Sequence, residues 1–112
     1  MVPGLTTKNL VRWEYGILTT ELQLEWDLNK AANNLKKHQV GFEEAATVFD
    51  DAMFITVVDD EHSLDEERYI TIGLSSQGQL LMVAHTDRDG RSRIISARKA
   101  TKKEEKFYVE AE

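Results

Sequence analysis

Histidine and arginine are the residue types in this chain with the most to offer chemically. There are three histidines, His38, His62 and His85, and five arginines in the second half, Arg68, Arg88, Arg91, Arg93 and Arg98. An unperturbed imidazole titrates near pH 6.5, so it can both take and give a proton close to neutrality. A guanidinium stays charged and offers two parallel N–H donors to a phosphate. Such groups suit acid–base chemistry at a phosphate ester. That chemistry calls for a base, an acid and a cation for the developing charge. One well-aimed donor to a developing oxyanion is worth roughly 3–4 kcal/mol.

Arg68, His85, Arg98 and His38 are the candidate catalytic side chains for such chemistry. Lys36, Lys37, Arg88, Arg91, Arg93 and Lys99 are the candidate RNA contacts. Each has a plainer alternative. His85 ends a stretch, Leu80–Thr86, that is apolar on both faces, so it points either to a ligand or into the core. His38 follows Lys36-Lys37 at a helix C-terminus, where cations favour the helix dipole by about 0.3–1 kcal/mol without any function. Arg88, Arg91 and Arg93 are phosphate grips or the solvated tip of a hairpin. Arg98-Lys99 closes the last strand. His62 lies in an acidic loop and is expected to be solvated.

Other site types find little support. There is no cysteine, hence no thiolate chemistry or disulfide, which fits a reducing compartment. No phosphate-binding glycine loop is present, and the histidines are too far apart for an H-x-x-x-H zinc pair. No cofactor or metal is expected. Asp59, Asp60, Glu61, Asp65, Glu66 and Glu67 lack the alternation and glycine of a calcium loop, so they read as a solvated loop or a surface for a basic partner. The longest apolar run, Leu80–Ala84, is far too short to span a bilayer, and no signal-peptide stretch is present, so a cytoplasmic protein is expected.

A single domain of α+β class has to position these side chains. Residues 1–23 carry no sustained period and read as an extension outside the core, with Trp13 and Tyr15 free to dock somewhere; residues 24–112 form the domain. Leu22–Trp26 alternates as a strand. Asp27 is suited to cap a helix in which Leu28, Ala31, Ala32 and Leu35 share a face, ending near His38-Gln39. A second short helix carries Phe42, Ala45, Ala46 and Phe49 after Gly41. Strands follow at 53–58, 68–74, 80–86 and 93–97, with glycine-bearing hairpin turns at 75–78 and 87–90. Thr101-Lys102-Lys103-Glu104 is a capping box opening a last helix. The order β-α-α-β-β-β-β-α predicts an antiparallel sheet with helices on one face and the other face open to an extended ligand.

The net charge of −6 works against binding RNA, yet it is unevenly spread. Residues 39–67 hold ten acidic side chains and no lysine or arginine, whereas residues 68–106 hold nine basic against four acidic. Exposed charges more than about 8 Å apart are largely screened at physiological salt, so a ligand feels the nearer patch. The basic half suits a polyanion and the acidic half a basic partner.

Several stretches resemble one family. They are Trp26-Asp27, Lys30-Ala31, Asn34, Lys37-His38, Val40, Phe42 and Ala45, then Val48-Phe49-Asp50-Asp51, then Glu67–Ile70 with Ile72-Gly73, and finally Arg93–Thr101. In order and spacing they are similar to the BrnT-type toxins over roughly residues 24–108. The resemblance implies a RelE-like fold and the toxin half of a type II toxin–antitoxin pair, cutting RNA without a metal and inhibiting translation. It implies a ribbon-helix-helix, BrnA-like antitoxin as partner, with operator DNA contacted only through that antitoxin. The alternative is a catalytically weak binding module that acts with the antitoxin in autoregulation of its operon.

Overall fold

The computed structural model describes residues 5–10, 13–14, 17–18, 22–62, 66–88 and 90–111, with side chains from Leu24 onward except that of His62. Tyr15, residues 63–65 of the acidic loop, Asp89 and the side chain of Trp13 lie outside these. The strands are β1 Leu5–Leu10, β2 Trp13–Glu14, β3 Ile17–Leu18, β4 Leu22–Asp27, β5 Ile55–Val58, β6 Arg68–Leu74, β7 Leu80–Arg88 and β8 Arg91–Lys99. The helices are α1 Leu28–His38, α2 Phe42–Thr47 and α3 Lys102–Glu110, with short 3₁₀ turns at 48–50 and 60–62. The α+β class is the expected one, and from β4 onward so is the order of elements; β1–β3 precede that series, and α3 lies on the sheet face opposite α1 and α2 rather than beside them.

Six strands form one sheet in the order β1-β4-β8-β7-β6-β5, and β2 and β3 pair separately. Every neighbour in the large sheet is antiparallel except β4 and β8, which run parallel. That parallel pair departs from the purely antiparallel expectation. Because β4 is separated from β8 in sequence by two helices and three strands, no tight turn constrains its direction. β1, from the segment read as an extension, hydrogen-bonds along β4 and forms an edge of the sheet.

Local signals place the helices. The Asp27 carboxylate accepts N–H bonds from Asn29 and Lys30 at 2.7 and 3.2 Å, and Gln39 ends α1 in the left-handed conformation at φ 58°. The face that α1 buries is only partly the expected one: Ala31 packs against the core. Leu28 and Leu35 are about half exposed, whereas Asn34 is buried. Its amide donates to the carbonyls of Val40 and Ala97, at 2.9 and 2.8 Å, and accepts the Ala97 N–H at 3.1 Å. A carboxamide that satisfies three backbone groups outweighs apolar burial here, because each group left bare in the interior would cost about 1–3 kcal/mol. Around it Leu24, Trp26, Val40, Phe42, Ala45, Ala46, Val48, Leu81, Val83, Ile94 and Ala97 make the core between the sheet and α1–α2.

A bulge in β8 decides which side chains share a face. Ala84 opposes Ser96 but the next residue, His85, opposes Ile94, so Ile95 is the extra residue. Ile94 and Ala97, three apart, therefore both enter the core. The same slip brings Arg93 and Arg98, five apart, onto the opposite face together.

Candidate nucleic-acid interface

The face turned away from α1 and α2 can be followed row by row from the strand register. Arg68 on β6 opposes Thr86 on β7, Thr86 opposes Arg93 on β8, and Arg93 opposes Glu25 on β4. One row further out Arg88 opposes Arg91. At the other end Ile72, Met82 and Arg98 are aligned. Residues directly opposite one another project to the same side of a sheet, so Arg68, Arg88, Arg91, Arg93 and Arg98 all belong to this face.

They do not form one cluster. The Arg98 row, at Met82, and the Arg68–Arg93 row, at Thr86, are four residue steps apart on β7, about 13 Å along the strand. Arg98 is engaged by α3. Its guanidinium donates to both Glu104 oxygens at 2.8 and 3.0 Å and to the Lys99 carbonyl at 3.2 Å. The bond from Arg98 holds the Glu104 carboxyl below its usual range, against the opposing effect of burial, and the same bond raises the Arg98 guanidinium. Glu104 also accepts the Thr101 N–H at 2.9 Å, completing the capping box. The last helix is thus fastened to the end of this face, where Ile72 and Met82 are buried.

The open remainder holds Arg68, Arg88, Arg91 and Arg93. Arg88 pairs with Glu66 at 2.8 Å. Arg91 and Arg93 lie 3.7 and 3.6 Å from the Glu25 carboxylate, which is buried. Thr86, in the middle of the row, is buried and donates to the Glu67 carbonyl at 2.9 Å. Glu25 was not singled out in the sequence. The only signal for it was its place, between two apolar residues that alternate into the core.

The histidines fall elsewhere. His85 is on the core side, 5% exposed, its Nε2 2.7 Å from the Thr71 hydroxyl, which is in turn 2.7 Å from the Thr56 hydroxyl. Its ring stacks on Tyr69 and meets Phe49 edge-on. Nδ1 is buried without a hydrogen-bond partner. Burial pulls its pKa from 6.5 down to about 4, opposed by the charge of Asp87, so the ring is neutral at pH 7. Of the two orientations the sequence left open, the inward one is found. His38, Lys36 and Lys37 end α1, on the other side of the sheet from the arginines. Lys99 is exposed at the end of β8.

A second carboxylate that the sequence gave no role organises the α2–β6–α3 junction. Asp51 accepts the Leu74 N–H at 2.8 Å, the Tyr108 hydroxyl at 2.6 Å and the Met53 N–H at 3.0 Å. Burial works to raise its pKa, but these three bonds together hold it below the usual carboxylate range. Gly73 lets this junction close, since a Cβ there would lie 2.7 Å from Val48 Cγ1. Among the described residues no group of three metal-ligating side chains converges, and no helix is long and apolar enough to cross a membrane.

Chemically, the open end of this face can hold an anion by charge and by N–H donation, while both described histidine rings lie away from it. No curated protein matches the chain. Residues 26–104 match the family model described as a ribonuclease toxin, BrnT, of type II toxin–antitoxin systems. That match spans most of the chain, from the end of β4 through the first turn of α3, so the chain belongs to the BrnT ribonuclease toxins, which act with an antitoxin partner.

Proposed function

We propose that the protein is a metal-independent endoribonuclease that inhibits translation in the cytoplasm. The reading further assigns it a ribbon-helix-helix antitoxin that silences it and alone touches operator DNA. The toxin unit is residues 24–112, to which β1 adds an edge strand. The observation that carries the reading is the row Arg68–Thr86–Arg93 on a sheet face that α1 and α2 leave open. Arg68 and Arg93 stand two strands apart, roughly 9–10 Å, and so grip different parts of one RNA strand. Arg88 and Arg91 extend the grip along the β7–β8 hairpin. The guanidiniums supply charge to the phosphorane, the largest single contribution in many such sites. Arg98 acts through α3 as a positioning residue, and neither His38 nor His85 is given the proton transfer.

A second reading, the catalytically weak module, is favoured by one observation. Arg88, Arg91, Arg93 and Arg98 each have a carboxylate within 4 Å. Incubating the purified protein with single-stranded RNA in EDTA decides between them. The enzyme reading expects cleavage that falls about 10²–10³-fold in Arg93→Ala. Absence of cleavage by either protein, with tight antitoxin binding intact, leaves the module.

A further inference from the structure

Glu25 is an acidic side chain at the centre of a surface otherwise suited to phosphates. The pairing of β4 with β8 sets it directly opposite Arg93, and α1's packing on Leu24 and Trp26 fixes the strand that carries it. Its carboxylate is nearly inaccessible, yet its oxygens stay 3.7 Å from Arg91 Nη1 and 3.6 Å from Arg93 Nη2. Both distances exceed the roughly 3.2 Å limit of a good N–H···O bond. The contrast with Arg98 and Glu104, which meet fork to fork at 2.8 and 3.0 Å, is internal to the same face. Arg93 also keeps a donor in reserve, because its Nε is buried with no hydrogen-bond partner. Buried donors of that kind ordinarily have one.

We infer that Arg91 and Arg93 form a binding site for one phosphate group, with Glu25 as its resident anion. The inference rests on the RNA reading above and names the place on the face where a backbone phosphate is seated. Glu25 neutralises the two guanidiniums and keeps them oriented, and it leaves the Arg93 Nε donor unsatisfied. A tetrahedral phosphate brings more acceptor oxygens than one carboxylate and engages Arg93, whose pairing with Glu25 is long. The carboxylate also repels the incoming anion, so a lone phosphate binds weakly and a strand that additionally meets Arg68 is favoured.

Thermal unfolding of the whole protein in inorganic phosphate, against chloride at equal ionic strength, tests this. Ligand that binds only the folded state raises the midpoint according to its dissociation constant. Glu25→Gln, which keeps the shape and removes the charge, should bind phosphate about tenfold more tightly than the parent. Adding Arg93→Gln to that variant should abolish the gain. Glu25→Asp, which withdraws the carboxylate by one methylene, should show a smaller gain and serves if Glu25→Gln does not fold. Phosphate affinity that is unchanged or lower in the folded variant overturns the inference. Cleavage of RNA measured alongside separates the two ideas. Tighter phosphate binding without any cleavage keeps this site and removes the ribonuclease reading, and cleavage without tighter binding does the reverse.

Discussion

At the scale of single residues, burial determines what His85 can do. A neutral imidazole wedged between Tyr69 and Phe49, hydrogen-bonded to Thr71, contributes packing and a polar link across β5, β6 and β7. Its folded pKa of about 4 lies below the unfolded value of 6.5. The unfolded chain therefore binds the extra proton first as pH drops. His85's contribution is complete above about pH 6.5 and is lost as pH falls toward 4, at about 1.4 kcal/mol per unit and roughly 3 kcal/mol in all. Denaturant unfolding of the parent and of His85→Gln between pH 7 and 4 checks this. The variant should be less stable at pH 7 and should show a shallower loss on acidification, and parallel curves would remove the assignment. Hydropathy alone could not make this distinction, since the residues around His85 are apolar on both faces of β7.

Among the elements, α3 depends on one side chain. Glu104 closes the capping box at Thr101 and receives the Arg98 fork, while Tyr108, one turn later, reaches Asp51. Glu104→Ala should cost about 1–2 kcal/mol, the sum of a lost cap and a partly exposed pair. Amide exchange in α3 should speed up while β6–β8 keep their protection, and unchanged exchange in α3 would contradict this. Much of the element layout was legible beforehand. The capping box, the Asp27 cap and β6 to the residue follow from local side-chain chemistry. Two features were not legible, for physical reasons. The buried face of α1 is chosen by Asn34, whose value depends on the Ala97 backbone 63 positions away. The shared face of Arg93 and Arg98 depends on the bulge at Ile95, and a regular strand would have put them on opposite sides. Glu25 was missed because its partners are likewise brought to it by a long-range parallel pairing.

Over the whole molecule, the charge division seen in the sequence becomes a partial division of surfaces, since Glu66 of the acidic stretch pairs with Arg88. The described acidic residues of 39–67 lie on α2, in and just after the 3₁₀ turn that follows it, and in the loop after β5, while five arginines lie on the sheet face away from α1 and α2. Carboxylates inside that face, Glu25 and Glu66 on the open part and Glu104 beneath α3, reduce its net charge, and Glu66 and Glu104 also take N–H donors of Arg88 and Arg98. The proposed RNA site thus lies on one side of the sheet, and the lysines of α1 lie on the other. The most direct test is the affinity of a labelled single-stranded oligoribonucleotide, by fluorescence anisotropy at fixed salt, for the parent, Arg68→Ala/Arg93→Ala and Lys36→Ala/Lys37→Ala. The arginine pair should lose at least about tenfold, and the lysine pair should stay within about twofold of the parent. Loss confined to the lysine pair, with the arginine pair binding as the parent does, would contradict the account.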